Sequence, residues 1–391
     1  MDVLNRVSSR CHRIVAGAIA AVIVLVAVAG SASAGAAEER PVGTLDPDGR
    51  LDMEPGSRAG PDAGRRGRPS TETSGAFVFR KGRYSPLSAI PGATFATLTV
   101  AINNRGETAG SSVDAAPGED GQLPPGSING FVRSRRGDST KFDGPRGENV
   151  SVFGLNNRGQ TTGVYTDAGA VPGPDGLLPP GAVHGFVRDP NGRISTFDVP
   201  FPYLHGVLDI NDRGQTVGFY DLPSGPGGGF LREPNGEITP IDVPGAGTFT
   251  FPFAINNRSQ VVGYYADEDT RFNPDGSIPP NKVHGFVWDD GRFRRFDVTD
   301  SLATFPYGIN NRGQIVGGYF DPAGKQHGFL LESGQYRTLD APGRVDGRDN
   351  DGDGDFDGFD VATIAWDISD RGEVLINERG VTNGGFQVST E

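Results

Sequence analysis

The chain of 391 residues contains one cysteine, two tryptophans, two methionines and five histidines. Cys11 lies in an N-terminal leader that we expect to be removed, so the mature protein has neither a disulfide nor thiol chemistry. No segment after the leader shows helical periodicity over more than two turns, and none is long and apolar enough to cross a bilayer. These absences predict an all-β protein that depends on its core for stability.

Residues 1–36 have the three parts of a secretory signal peptide: three arginines, an apolar run over 14–29 and small residues at 32–36. We expect cleavage, secretion from a bacterial cell and no further membrane contact. The alternative is an uncleaved anchor, because the apolar run is long for a signal. Residues 37–74 are rich in Arg, Gly, Pro, Ala and Glu, which predicts a flexible linker.

The formal net charge of −13 disfavours binding to nucleic acid or to an anionic membrane surface. Cations and neutral or basic partners remain compatible with it. We expect a monomer.

Two phrases recur along the mature chain. One is a turn motif of the type Ile-Asn-Asn-Arg-Gly-Gln, and the other is a small residue followed by Phe at the start of an apolar run. The turn motif begins at Ile102, Leu155, Ile210, Ile255, Ile309 and Ile368. The phenylalanines are Phe77, Phe131, Phe186, Phe230, Phe286, Phe329 and Phe386. Such regular spacing indicates one small unit copied around an architecture.

Each unit contains four strand-like runs separated by Gly, Asn, Asp and Pro, and the Asn-Asn-Arg-Gly step is a hairpin signal. Four strands in a period of roughly 40 to 50 residues predict the blade of a β-propeller over residues 75–391. We expect six blades, with seven as the alternative; a solenoid is disfavoured because these hairpins are antiparallel. The segment around Phe386 is expected to pair with the first blade and close the ring, unless it is a frayed tail.

The last unit carries an acidic insertion at 346–360. Calcium loops of the EF type need oxygen ligands at positions 1, 3, 5, 7, 9 and 12 and Gly at position 6, and Gly354 takes that place when counting starts at Asp349. The candidate Ca²⁺-binding residues are Asp349, Asp351, Asp353, Asp355, Asp357 and Asp360. The stretch resembles dockerin repeats and the calcium loops of integrin-type blades, although position 12 is Asp rather than Glu. We expect a structural Ca²⁺ site; the alternative is a solvated acidic loop.

The turn motifs place six arginines at equivalent positions, so they must form a ring on one face. These are Arg105, Arg158, Arg213, Arg258, Arg312 and Arg371. Such a ring could bind an anionic ligand. The alternative, which we favour from the sequence, is pairing with the aspartates that end the second strand-like run of each unit: Asp143, Asp198, Asp242, Asp297 and Asp340.

His184, His284 and His327 each precede a Gly-Phe step. Three imidazoles on a common axis could bind a transition metal or act as a general base. The alternative is that they recur only because the repeat recurs. No Ser-His-Asp, zinc-protease, phosphate-loop or paired-carboxylate motif is present.

His-Gly-Phe, a strand ending in Phe-Asp-Val-Pro, and then Gly-Ile-Asn-Asn-Arg-Gly-Gln-Ile-Val-Gly-Gly-Tyr form a repeat consensus that resembles the HAF family of bacterial extracellular repeats. The resemblance spans residues 75–388 and is clearest at 283–329. It implies a secreted, propeller-like protein and transfers no catalytic residue. We therefore expect a calcium-stabilised binding module for a cell-surface glycan or an extracellular protein. The alternative is a propeller enzyme, a polysaccharide lyase or hydrolase, with an axial histidine site.

Overall fold

The computed structural model describes residues 73–88, 90–93, 96–115, 123–124, 126–170, 178–201, 203–222, 227–270, 281–340 and 363–377. The described residues form strands, turns and connecting segments without a helix. Accordingly, they include no helix that is long and apolar enough to cross a membrane. The prediction of an all-β chain is confirmed.

The strands follow one another in groups of four after an initial pair. The initial pair is β1 (Thr73–Arg80) and β2 (Arg83–Ser88). Unit 1 contains β3 (Ala96–Ile102), β4 (Thr108–Val113), β5 (Ile128–Arg133) and β6 (Ser139–Phe142). Unit 2 contains β7 (Val150–Leu155), β8 (Thr161–Thr166), β9 (Val183–Arg188) and β10 (Ile194–Phe197). Unit 3 contains β11 (Tyr203–Ile210), β12 (Thr216–Asp221), β13 (Gly228–Arg232) and β14 (Ile238–Ile241).

The second half of the chain repeats this arrangement. Unit 4 contains β15 (Ala246–Ile255), β16 (Val261–Asp267), β17 (Val283–Asp289) and β18 (Arg292–Phe296). Unit 5 contains β19 (Ala303–Ile309), β20 (Ile315–Phe320), β21 (Gln326–Glu332) and β22 (Gln335–Leu339). Unit 6 combines β23 (Ile364–Ile368) and β24 (Val374–Asn377) with β1 and β2.

In units 1 to 5 the strands pair in sequence order and antiparallel, from an inner first strand to an outer fourth strand. One parallel bridge, between Val283 and Ala303, joins units 4 and 5. The first strand of each unit contacts the first strand of the next, and β23 contacts β3. Because the inner strands contact one another in a closed circle, the fold is a β-propeller, as the repeats predicted.

The N-terminal strands complete unit 6. Its third strand is β1, which pairs with β24 from Ala76–Asn377 to Phe79–Val374, and β2 is its outer strand. Closure in the structure therefore uses the first Phe segment, around Phe77, and it satisfies the edge of β24. Phe386 lies outside the described residues, so its predicted pairing stays a prediction.

The recurring phenylalanine of the third strand is buried in the core of units 1 to 5, whereas its equivalent in unit 6, Phe77, is only half-buried. Phe131, Phe186, Phe230, Phe286 and Phe329 are at most 1% exposed. Outer strands alternate between half-buried and exposed residues, as in β10 and β18. Burial decreases from the inner strands to the rim. The hairpins that join the first and second strands lie around the axis at one end of the ring. We call this end the turn end.

Candidate functional site

The turn end is built from one repeated hairpin. In unit 4, Asn256 Oδ1 accepts the backbone N–H of Arg258 at 2.9 Å and that of Gln260 at 3.1 Å. Its Nδ2 donates to the main-chain oxygen of Asn310 in the next unit at 3.2 Å. Asparagine suits this position because its amide accepts and donates at the same time. The turn motif therefore closes its own hairpin and also joins neighbouring units.

The same pattern recurs around the ring. Inter-unit donation from the first motif Asn is made by Asn103, Asn156, Asn211, Asn256 and Asn310. The left-handed residue that ends the turn is glycine in five units, whereas Ser259 adopts a φ of 61° in unit 4. Ser259 Oγ donates to Gln215 Oε1 in unit 3 at 2.8 Å, so this serine forms an inter-unit hydrogen bond that a glycine could not form.

The second motif residue forms a complete circle of hydrogen bonds. Each backbone N–H donates to the side-chain Oδ1 of the equivalent residue in the next unit, over 2.6–2.8 Å. The six residues are Asn104, Asn157, Asp212, Asn257, Asn311 and Asp370. Because Asp370 N donates to Asn104 Oδ1, the circle closes between the last unit and the first.

The two acids in this circle each bind two amides. Asp212 Oδ2 accepts Nδ2 of Asn157 at 3.0 Å and of Asn257 at 2.6 Å. Asp370 Oδ2 accepts Nδ2 of Asn104 at 2.6 Å and of Asn311 at 2.8 Å. Burial acts to raise the pKa of Asp370, but the bonds from Asn104 and Asn311 outweigh it and the pKa lies below its usual range. This carboxylate is therefore held in its charged form.

A cavity of about 50 Å³ lies on the axis at the turn end and is lined by the motif residues of all six units. Asp209 and Asp367, from units 3 and 6, also line it. A cavity of this size holds a few water molecules or one ion. Within the described residues no group of three or more His, Cys, Asp or Glu side chains has a geometry suited to a metal ion.

Each of these two acids connects its own unit to the next. Asp209 accepts the N–H of Ile210 at 2.7 Å and of Ile255 at 2.8 Å. Asp367 accepts the N–H of Ile368 at 2.7 Å and of Ile102 at 2.8 Å.

Both side chains are half-buried: each lines the water-sized cavity, while protein packs around the rest of its carboxyl group. Burial, and then the charge of Asp367, raises the pKa of Asp209 well above its usual range. Burial is also the main cause that raises the pKa of Asp367 to about 7, and the charge of Asp370 adds to it. Two acids of opposite units therefore disfavour each other's ionisation at neutral pH.

Sequence reasoning missed this pair, although a signal was present. The residue before each turn motif runs Ala101, Gly154, Asp209 in units 1 to 3 and Ala254, Gly308, Asp367 in units 4 to 6. The second motif residue has the same period, Asn, Asn, Asp, in both halves. In addition to the single-unit repeat, the chain therefore has a three-unit repeat that occurs twice. It places four acids where the two three-unit halves meet: Asp209, Asp212, Asp367 and Asp370.

The six predicted arginines do lie together at the turn end, and all six are exposed. Each follows a residue of the closed circle, so they surround the axis. Arg105 pairs with Glu107 of its own hairpin, and Arg213 NH1 donates to Ser259 at 3.3 Å. Within the described residues, the other five arginines form no ion pair.

The expected pairing of these arginines with strand-end aspartates is wrong. Asp198, Asp297 and Asp340 lie at the opposite end of the ring, where the third strands begin, and they contact histidines instead. The physical reason is strand direction: the turn follows the first strand, whereas these aspartates follow the outer strand, which runs antiparallel to the third. The two sets recur together without meeting.

The three histidines do not line the axial cavity described above, contrary to the axial arrangement expected for an enzyme site. Each instead lies between two aspartates of its own unit. His184 contacts Asp198 at 2.6 Å and Asp167 at 3.2 Å. His284 and His327 make the equivalent contacts with Asp297 and Asp267, and with Asp340 and Asp321.

These histidines lie beside tyrosines of the second strand, and His184 stacks on Tyr165 with ring centroids 4.9 Å apart. Burial acts to lower the pKa of His184, but bonds to Asp198 and Asp167 outweigh it and the pKa is raised. Both ring nitrogens of His184 therefore contact carboxylates. The arrangement fixes the start of the third strand to the two neighbouring strands.

The predicted calcium ligands Asp349, Asp351, Asp353, Asp355, Asp357 and Asp360 lie outside the described residues. The signal peptide and residues 37–72 of the predicted linker also lie outside them, whereas Thr73 and Ser74 belong to β1, so the linker ends two residues earlier than predicted. These three assignments stay predictions of the sequence.

No family model and no curated protein matches the chain. Among solved structures, it is similar to a streptogramin B lyase, with 9% identity over 76% of this chain and 83% of that chain and a TM-score of 0.38. TolB from Acinetobacter baumannii is 12% identical over 67% of this chain and 62% of that chain, with a TM-score of 0.42. A mutant of AofleA from Arthrobotrys oligospora is 12% identical over 71% of this chain and 78% of that chain, with a TM-score of 0.38. At these values no activity or ligand transfers, and the fold assignment rests on strand order.

Proposed function

We propose that the protein is a secreted binding module whose turn end captures an acidic glycan through its ring of arginines. The observation that carries the proposal is the exposure of all six motif arginines around one axis in a chain whose net charge is −13. A local cationic ring on an acidic protein concentrates attraction at one place. Guanidinium groups suit carboxylate, sulfate and phosphate because they donate two parallel hydrogen bonds.

The scaffold supports this role because it holds the arginines at fixed positions. The backbone N–H of Arg158, Arg258 and Arg312 each donates to the first motif Asn of its hairpin at 2.9–3.0 Å. The hairpins are in turn joined by the closed circle of hydrogen bonds. A polymer with regularly spaced negative charges meets several guanidinium groups at once, so its binding gains from multivalency.

Calcium is a second part of the proposal and rests on the sequence alone. The acidic stretch 349–360 lies between β22 and β23, so an ion bound there would order the chain that leads into unit 6. The alternative of an axial-histidine enzyme is not supported by the positions of His184, His284 and His327.

The test is retention of the mature chain on immobilised polygalacturonate compared with neutral dextran. A variant with Arg158, Arg213, Arg258 and Arg312 replaced by Ala is expected to lose retention on the acidic matrix. The matched control replaces four exposed arginines outside the ring: Arg136, Arg193, Arg292 and Arg294. Equal loss in both variants would attribute binding to net charge, and equal retention of the wild type on dextran would overturn the proposal.

A further inference from the structure

Four of the six motif arginines extend over the turn of the next unit and contact its left-handed residue. The four pairs are Arg105 with Gly159, Arg213 with Ser259, Arg258 with Gly313 and Arg312 with Gly372. A β-carbon on Gly313, for example, would stand 3.3 Å from Arg258 Nη2. Glycine therefore leaves room for the guanidinium group of the preceding unit but has no side chain that could hold it.

Ser259 is the exception among these left-handed turn residues. Its Oγ accepts a hydrogen bond from Arg213 Nη1 at 3.3 Å and donates one to Gln215 Oε1 at 2.8 Å. The left-handed conformation, with a φ of 61°, is unfavourable for serine, and the other five units use glycine there. A strained residue at one position of a repeat indicates a role for its side chain, here the contact with Arg213.

The positive charge of Arg213 is not balanced in the way that the charge of Arg105 is. Arg105 pairs with Glu107, the last motif residue of its own hairpin. The corresponding residue in unit 3 is the neutral Gln215. Within the described part of the chain, Arg213 forms no ion pair, and its side chain is hydrogen-bonded only to the neutral hydroxyl of Ser259.

The turn that Arg213 covers also lacks a carboxylate at its second motif position. Arg312 covers the turn of unit 6, where its charge contributes to the lowered pKa of Asp370. The corresponding residue in unit 4 is Asn257. Arg213 is thus exposed and held by a neutral group, whereas Arg312 lies close enough to an acid to act on its ionisation.

We propose that Ser259 is a positioning residue of the arginine ring, and that Arg213, which it holds, makes the principal contact with a carboxylate of the acidic glycan. A side chain that is fixed before binding loses less conformational entropy when the ligand arrives. A hydroxyl fixes the guanidinium group without neutralising it, so the full charge stays available to the ligand. The inference rests on the proposed function and places its main contact at the junction of units 3 and 4.

The test is calorimetric titration of the mature chain with a short oligogalacturonate at low ionic strength. Arg213→Ala is expected to weaken binding about 10-fold, the equivalent of one charge-assisted hydrogen bond, and Arg258→Ala about 2-fold. Ser259→Gly, which introduces the residue of the other five units, is expected to weaken binding about 3-fold. In that background the two arginine substitutions should weaken binding equally. The matched control is Ser333→Gly, another left-handed serine, with a φ of 51°, which should leave binding unchanged.

A second variant transfers the contact to the next unit. Gly313→Ser places a hydroxyl beside Arg258 Nη2, so in Ser259→Gly with Gly313→Ser the costlier arginine substitution should become Arg258→Ala. Thermal unfolding checks that each variant is folded.

Equal effects of Arg213→Ala and Arg258→Ala in a wild type that binds, or unchanged affinity in Ser259→Gly, would overturn this inference alone. A wild type that does not bind the oligogalacturonate would overturn the proposed function as well, so the two failures are distinguishable.

Discussion

The two acids on the axis differ from the acids of the hydrogen-bonded circle, although they are only three residues apart in sequence. Asp370 receives amide donors and has a lowered pKa, whereas Asp367 receives two backbone N–H groups in an enclosed place and has a pKa raised to about 7. One hairpin thus holds a charged carboxylate beside one that protonates near neutrality. The difference comes from which groups surround each side chain.

The first prediction concerns Asp367→Asn. In the unfolded chain an aspartate loses its proton near pH 3.9, whereas in the folded protein Asp367 keeps its proton up to about pH 7. The wild-type protein therefore loses stability as pH rises from about 3.9 to about 7. The Asn variant has no such titration. We expect the free energy of unfolding of the variant, relative to the wild type, to increase between pH 4 and pH 7.

Chemical denaturation at several pH values measures this difference. Asp370→Asn is the matched control from the same hairpin, and because the pKa of Asp370 is lowered its difference from the wild type should not increase over that range. Parallel stability curves for the wild type and Asp367→Asn would contradict the assignment. In addition to this pH-dependent change, we expect Asp367→Asn to lower the free energy of unfolding by the same amount at every pH. The reason is that the amide nitrogen of Asn replaces one of the two carboxylate oxygens that accept backbone N–H groups.

At the level of elements, the last motif residue links the turn to the hairpin between the third and fourth strands in units 2 to 6. In unit 5, Gln314 Nε2 donates to Glu332 at 2.6 Å, and Gln215 makes the same contact with Glu233 at 2.7 Å. Unit 6 exchanges donor and acceptor: buried Glu373 accepts from Arg80 at 3.2 Å and from Arg135 of unit 1 at 3.1 Å. The reversal occurs where the N-terminal strand β1 meets the C-terminal strand β24, so it distinguishes the closing strand from the others.

The second prediction exploits this reversal. Gln314→Glu places a carboxylate against Glu332 and is expected to lower the free energy of unfolding by about 1–3 kcal/mol through like-charge repulsion and loss of a donor. Adding Glu332→Arg recreates the pair of unit 6 and should recover most of the loss. Denaturant titration of both single variants and the double variant gives the coupling energy. Additive single effects without recovery would mean that the contact does not set strand pairing.

At the scale of the whole molecule, the propeller has two halves of three units each. The acids Asp209 and Asp212 lie at the junction of units 3 and 4, and Asp367 and Asp370 lie at the junction of units 6 and 1. Both junctions are therefore joined by carboxylates that accept N–H groups from two units. One of these junctions is also where the chain closes the ring.

The third prediction concerns calcium. With an affinity of roughly 10⁻⁴ to 10⁻³ M, as in extracellular modules, 10 mM Ca²⁺ is expected to stabilise the protein by about 1–3 kcal/mol. Calorimetry of the mature chain in calcium and in chelator should then show a higher unfolding temperature in calcium. Asp351→Ala with Asp353→Ala should abolish the shift, whereas Asp138→Ala with Glu237→Ala, two exposed acids elsewhere, should preserve it. An unchanged unfolding temperature in the wild type would leave the loop as a solvated acidic segment.

Short motifs were sufficient to predict the local and repeated features. Four strands per unit, the buried third-strand phenylalanine and six arginines on one face all follow from short motifs, because hairpin turns and alternating burial are set by neighbouring residues. The exposed position of the arginines was predictable for the same reason. Their partners were not, since a motif does not state which end of a strand a distant residue occupies.

The contacts at the axis depend on ring closure, and the motifs did not predict them. Asp209 and Asp367 are 158 residues apart by their numbers, and Phe253 reaches Trp366 only because a closed ring brings unit 4 opposite the end of the chain. The strand that closes the ring was likewise ambiguous, because Phe77 and Phe386 carry the same local signal. Local propensities specify each unit, whereas closure, which depends on how six units pack together, specifies the sites between them.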